Sequence, residues 1–153
     1  MALTFADSLL NRFATLGTVR NLFHTLFTSA APLEIQTWSP SYGGTGSLTY
    51  SSVTTNYAQY VEIGPLVLWA LGCQGTTGGT TSYAVTATLP VVVTDASYAN
   101  RIGHGQGDVT ANDEDISAYF ASTSTMGIVG DGTPNWQLAS GIDIRLWGFY
   151  FTE

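Results

Sequence analysis

The feature that most constrains the fold of this 153-residue sequence is a series of short β-type segments that starts after Gln36. These segments are rich in Tyr, Val, Thr and Ile, show no helical period, and are separated by the turn clusters SYGGTG, GTTGG and GDGTPN. They read GSLTYSSVTTNYAQYVEIG, PLVLWALGC, TSYAVTATLPVVV, ISAYFASTSTMGIVG and IDIRLWGFYFTE. Many short strands with glycine-rich turns are typical of an antiparallel sandwich or barrel.

The stretch YAQYVEIGPLVLW, residues 57–69, predicts two of these strands. Its first half alternates between two sets of side chains, as expected of a half-buried strand. Gly64-Pro65 then interrupts it, and because proline cannot donate to a β-ladder we expect a bend, a bulge or an edge position there, with a bend serving as the corner between two sheets. Residues 66–71 are apolar on both faces, so they are predicted to form the most buried strand of the fold.

The closing segment DIRLWGFYFTE also alternates. One face carries Ile142, Ile144, Leu146 and Gly148, and the other carries Asp143, Arg145, Trp147 and Phe149, followed by Phe151. Two interpretations of the aromatic rings are open. The rings either face a second sheet of the same domain, or they pack against a neighbouring molecule.

Residues 1–36 differ in character and are predicted to form an amphipathic helical arm. Apolar side chains recur there at steps of three and four, which is the period of a helix. They include Leu9, Phe13, Leu16, Val19, Leu22, Phe23, Leu26 and Phe27. A lone helix of this length is marginal in water unless its apolar side is covered. The cover is its own domain, a neighbouring copy or partner shell, or a membrane surface, and we favour the copy or shell.

Charge limits the classes of partner. Charged residues make up 10% of the chain, lysine is absent, and four arginines stand against eleven acids, giving a net charge of −7. Binding to a phosphate backbone relies on clustered Lys and Arg, so a nucleic-acid partner is not expected. The longest apolar run, residues 66–73, is shorter than the roughly 18 residues of a membrane span, so no membrane partner is expected.

The sequence contains little that predicts catalysis. Only His24 and His104 could act as a base beside a nucleophile, and Cys73 has no basic neighbour in sequence, so it is interpreted as a small packing residue. Nucleophile-elbow, phosphate-loop and zinc-ligand spacings are all missing. We therefore expect a protein that is not an enzyme and has no cofactor and no catalytic metal.

One polar segment, residues 103–116 (GHGQGDVTANDEDI), is predicted to be a flexible loop. Its acids Asp108, Asp113, Glu114 and Asp115 are hard oxygen ligands of the kind calcium prefers, although their spacing does not match an EF-hand. A solvated loop is the favoured interpretation. An acid–base pair of His104 with Asp108 is a weaker alternative.

Three aromatic residues fall in turn-like stretches and are candidates for surface recognition, for example by stacking on sugars. They are Trp38 and Tyr42 in TWSPSYGG and Trp136 in TPNWQ. The alternative is that these rings cover the ends of the β-domain.

Four features follow one another over residues 36–153: a W-x-P opening, a strand pair around Ile-Gly, a strand ending in Leu-Pro and an aromatic closing strand. In this order they resemble a group of small structural proteins of tailed bacteriophages. The matching positions are Trp38, Pro40, Tyr57, Tyr60, Ile63, Gly64, Val67, Leu89, Pro90, Trp136, Gly148 and Tyr150. Pro65 departs from the polar residue more usual after Ile-Gly, and the arm is not part of the shared pattern.

The resemblance implies an all-β, antiparallel, jelly-roll-like β-sandwich over residues 37–153, assembled as a homotrimer on a virion. It implies a capsid decoration (cement) protein that binds the major capsid protein on the outer surface and stabilises the shell. The arm, residues 1–36, is then expected to dock on the capsid or on sister arms. The alternative is the receptor-binding tip of a tail or head fibre that recognises host surface glycans. A fibre tip is expected to hang from a repetitive shaft, which this sequence lacks, so decoration is preferred.

Overall fold

The computed structural model describes residues 34–97, 101–110, 113–132 and 135–152. Within these ranges the chain forms nine β-strands. They are β1 (Gln36–Thr37), β2 (Tyr42–Gly44), β3 (Leu48–Ile63), β4 (Leu66–Gly79), β5 (Val85–Thr88), β6 (Arg101–Gly107), β7 (Glu114–Ser122), β8 (Thr125–Gly130) and β9 (Ser140–Phe151). The described part of the chain contains no helix long and apolar enough to cross a lipid bilayer. The helical arm is predicted for residues 1–36, and residues 1–33 lie outside the described ranges.

All nine strands belong to one antiparallel sheet with the order β1-β3-β4-β9-β6-β7-β8-β5-β2. The sheet curls until its far strand, β2, returns to β3. The Tyr42 and Tyr50 rings meet edge to face at 5.8 Å, and the Tyr42 hydroxyl lies 2.9 Å from the Thr55 hydroxyl. The predicted all-β, antiparallel class is therefore confirmed for the described residues.

Gly64-Pro65 is a hairpin turn and not a bend between sheets. Ile63 pairs with Leu66, so β3 and β4 are joined by two residues only. Gly64 has φ of +60°, which glycine adopts at no steric cost and which the first central position of a type II′ turn requires. The expectation of a corner was wrong because proline fits the second central position of this turn as well as it fits a bend.

Residues 66–71 of β4 are fully buried on one face only, which corrects the prediction that they are buried on both. Val67 and Leu71 are fully buried, whereas Leu68 between them is 41% exposed. The apolar character of the outer positions thus does not come from burial within this domain.

The curled sheet encloses a core built from its inner face. The side chains that are essentially inaccessible to solvent alternate along the strands with exposed ones. The largest are Trp136, Leu71, Ile116, Met126, Ile128, Ile142, Ile144 and Leu146. Among the polar groups, the Thr77 hydroxyl donates to the Gln137 carbonyl (2.6 Å) and accepts the Ala139 N–H (2.9 Å). This clip ties the segment before β9 to β4.

The glycine-rich part of the predicted loop is strand β6, next to β9. A Cβ on Gly105 would collide with the Arg145 carbonyl oxygen, and one on Gly148 would collide with the Ile102 carbonyl. These two glycines therefore allow the backbones of β6 and β9 to approach closely. The loop prediction was wrong for residues 103–107, because glycine serves here for contact and not for flexibility, and it was also wrong for residues 114–116, which begin β7.

Candidate interaction surface

An apolar patch covers the outer face of β3, β4 and β9. In the strand register Leu68 lies opposite Phe149 and Leu66 opposite Phe151. We define the apolar patch as Val61, Leu66, Leu68, Phe149 and Phe151 on these strands, together with Ile35, which precedes β1 and lies beside Val61 and Leu68. Four of these side chains are strongly exposed: Ile35 (65%), Phe149 (60%), Phe151 (56%) and Leu68 (41%). Soluble monomers rarely keep such contiguous apolar surface without a use for it, so the patch is a candidate contact surface.

The structure contradicts one of the two interpretations of the closing strand. Ile142, Ile144 and Leu146 are buried, while Trp147 is 65% exposed along with the two phenylalanines. The interpretation that the rings face a second sheet of the same domain is therefore wrong. The strict alternation along β9 carried this information, because successive side chains of a strand point to opposite faces.

The Trp147 side chain lies at the border of the apolar patch and separates two clefts. The cleft on one side has a volume of about 420 Å³. It is lined by Tyr57, His104, Gln106, Asp115, Arg145 and Trp147. The cleft on the other side, of about 360 Å³, is lined by the side chains of Arg101, His104, Ser117, Trp147 and Phe149. We call this region the Trp147 site.

Carboxylates hold the polar side chains on the β6–β7 side of the Trp147 site. Asp131 accepts from the Arg101 guanidinium (3.0 Å) and from the Ser117 hydroxyl (2.9 Å). The His104 ring lies between two carboxylates, with Nε2 3.9 Å from Asp115 and Nδ1 4.0 Å from Asp131. Donors and acceptors are thus fixed around one side of the indole.

Arg145 is fixed in the same way in the cleft of about 420 Å³. Its guanidinium donates to Asp113 (2.7 Å) and lies 2.9 Å from the Asp143 carboxylate. The hydrogen bond to Asp113 is the main cause that raises the pKa of Arg145 above its ordinary value. The pair is exposed, so it orients the side chain more than it stabilises the fold.

Tyr57 completes this cleft from strand β3. It lies opposite Gly72, and a Cβ on Gly72 would collide with its ring. Glycine therefore lets the Tyr57 ring lie flat across β4. The hydroxyl-bearing ring remains 40% exposed beside Arg145 and Trp147.

The predicted recognition residues Trp38 and Tyr42 pack against the core. The Trp38 indole donates to the Thr88 carbonyl (3.2 Å) and meets the Tyr60 ring edge to face at 6.1 Å. Burial is the main cause that raises the pKa of Tyr42. The structure does not bring these two rings together with Trp147, and their positions fit the alternative that they cover one end of the domain.

Trp136 is fully buried, so it is not available for the surface recognition for which it was a candidate. Its indole N–H donates to the Ile128 carbonyl at 2.9 Å. The turn residues before Trp136 suggested exposure, but an indole is large enough to fill the core from a loop. The predicted contact residues of the arm, Leu9, Phe13, Leu16, Val19, Leu22, Phe23, Leu26 and Phe27, lie outside the described residues.

The acids of residues 108–115 have separate partners. Asp108 accepts a backbone N–H from β9 (3.0 Å), Asp113 pairs with Arg145, and Glu114 and Asp115 lie in strand β7. Within the described residues, no three His, Cys, Asp or Glu side chains come together as a metal site would require.

His104 does not pair with Asp108. The carboxylates within 4.0 Å of its ring are those of Asp115 and Asp131, which come from β7 and from the turn after β8. The weaker alternative of a His104–Asp108 acid–base pair is therefore wrong. Sequence proximity was misleading because the hairpin carries Asp108 to the far end of β6.

Cys73 is fully buried and free, which confirms its interpretation as a packing residue. Its thiol lies 3.8 Å from the Tyr50 hydroxyl, and burial raises its pKa above the ordinary value. A thiol that is both inaccessible and protonated is a poor nucleophile.

We expect Cys73 not to react with dithionitrobenzoate in the native protein, since attack requires an opening of the domain. Absorbance at neutral pH should show less than about 5% labelling over an hour, and one equivalent after unfolding in urea. Native labelling at the rate of the urea-unfolded control would contradict the buried position.

Comparison with family models, with curated proteins and with solved structures found no match.

Proposed function

We propose that this chain is a structural virion protein, a capsid decoration protein whose jelly-roll domain assembles as a homotrimer and binds the outer surface of a phage shell. The observation that carries the proposal is the exposed apolar patch on β3, β4 and β9. The resemblance of residues 36–153 to phage virion proteins supports it. No catalytic role is proposed.

Charge supports further copies of this chain as occupants of the patch. The chain has a net charge of −7, so two copies repel each other over most of their surfaces. The patch consists only of Ile, Val, Leu and Phe and carries no charge. Contact between copies through this surface therefore buries apolar side chains while it keeps the acids apart.

The size of the patch also supports a stable contact. The strongly exposed side chains of the patch offer on the order of 400 Å², about half of what each partner contributes to a standard interface. Val61 and Leu66 lie between them and are partly exposed. At about 25 cal/mol per Å², burial of 400 Å² contributes on the order of 10 kcal/mol per copy before the cost of association.

The shell is the second partner in this proposal, with the major capsid protein as the component bound. The arm, residues 1–36, is proposed to make this contact through its predicted apolar side. A distinct observation favours the alternative of a glycan-recognising fibre tip: the exposed Trp147 indole between two clefts that are lined by both polar and apolar side chains.

The proposal is tested by the mass of the full-length protein in solution. Light scattering at about 100 µM, well above a micromolar dissociation constant, should give three times the 16.3 kDa of one chain. A mass of 16.3 kDa throughout would overturn the homotrimer. In a second assay, the labelled chain should sediment with purified heads of the phage that encodes it, and a chain left in the supernatant would argue against decoration.

A further inference from the structure

We propose that the Trp147 site binds a neutral oligosaccharide, laid across the indole with one end in each cleft. This inference deepens the glycan-binding alternative and does not rest on the homotrimer, because it uses Trp147 and the polar side chains around it, with Phe149 as the one residue shared with the apolar patch. Three features of the Trp147 site support this ligand: the exposed ring, the fixed polar groups and the charge of the site.

The first feature is the exposed Trp147 ring. Trp147 is 65% exposed, and its indole is bordered by clefts on two sides. One face of a sugar ring consists of C–H groups, whose slightly positive hydrogens are attracted to the negative face of an aromatic ring. Both clefts, at about 360 and 420 Å³, fall in the size range of ligand pockets. An extended chain of several sugar units fits this arrangement better than a single compact molecule.

The second feature is a set of fixed hydrogen-bonding groups on both sides of the Trp147 ring. Arg101 is held by Asp131 on one side, and Arg145 is held by Asp113 on the other, whereas the Ser117 hydroxyl is buried and donates to Asp131. Sugar hydroxyls both donate and accept, and the clefts offer donors and acceptors together. Because the side chains are already positioned by their ion pairs, binding orders them at little further cost.

The third feature is the excess of negative charge around the Trp147 ring, which favours a neutral ligand. Around the indole two arginines, Arg101 and Arg145, are paired with aspartates, and four aspartates lie in or behind the clefts: Asp113, Asp115, Asp131 and Asp143. Single-stranded nucleic acid also stacks on aromatic rings, but it needs an excess of cations along its path. The excess of carboxylates disfavours nucleic acids and acidic polysaccharides.

The test uses the full-length protein on a printed array of neutral glycans, followed by calorimetric titration with the glycan that binds best. We expect at least one glycan to bind, and Trp147→Ala to weaken its affinity at least about tenfold. Arg145→Ala and Asp115→Asn should each weaken it by about threefold or more. Tyr83→Ala is the matched control, an exposed ring that lines neither cleft and lies outside the apolar patch, and it should bind as the native chain does.

Several results would overturn the site. They are an array without a bound neutral glycan, an equal loss of affinity in Trp147→Ala and Tyr83→Ala, or preferred binding of a decaproline peptide or of oligo-dT tested in parallel. The mass of Trp147→Ala, measured by light scattering, keeps the two proposals apart. A variant that loses glycan binding at unchanged mass supports the site whatever the oligomeric state is.

Discussion

Replacement of Phe149 and Phe151 together by threonine is expected to convert the proposed trimer into a folded monomer. Both rings are more than half exposed, so they contribute little to the domain, and threonine preserves the preference of these positions for a strand. Each ring buried between copies is worth about 2 kcal/mol. Two rings in each of three copies then give on the order of 10 kcal/mol per trimer. Light scattering measures the mass, and circular dichroism reports whether the sheet is retained.

The matched control removes exposed apolar side chains elsewhere on the domain. Val92 and Leu138 are 61% and 46% exposed and lie outside strands β3, β4 and β9. Val92→Thr with Leu138→Thr should leave the mass unchanged. A double phenylalanine variant that still has the native trimer mass would show that the copies meet through another surface. A variant that no longer folds would show that the rings are structural.

Alternation along single strands made much of the sheet predictable. In β9 it separated Ile144 and Leu146, which are buried, from Trp147, which is exposed. It failed in β4, where the outer position Leu68 is as apolar as the inner Val67. Hydrophobicity reports that a side chain avoids water, but it does not report whether the cover comes from the same domain or from another molecule.

The Trp147 site was less predictable than the sheet. Its ring follows from alternation, but its polar groups come from several strands that are distant in sequence. His104 on β6 lies beside Asp115 on β7 only because of the register between these strands. A one-residue shift of register would turn such a side chain to the other face. The sequence contains no local signal for that register, and the glycines of β6 favoured a loop.

Two tryptophans, one in the core and one on the surface, give the second large effect. Trp136→Ala is expected to destabilise the domain by about 3–5 kcal/mol, because it removes a fully buried indole and leaves a cavity. The Ile128 carbonyl also loses its donor. Trp136→Phe keeps most of the volume but not the hydrogen bond, so a smaller loss of about 1–3 kcal/mol is expected. Urea unfolding at one fixed protein concentration measures both.

Trp147→Ala is the counterpart and should change the free energy of unfolding by no more than about 0.5 kcal/mol in a monomeric background such as the double threonine variant. That background matters, because the stability of an oligomer depends on its concentration. If Trp136→Ala were tolerated while Trp147→Ala unfolded the protein, the inner and outer faces of the sheet would be exchanged, and both the apolar patch and the Trp147 site would belong to the core. If the changes in the free energy of unfolding are as expected, the Trp147 side chain does not contribute to the stability of the fold. A loss of glycan binding in Trp147→Ala then reports on the site alone.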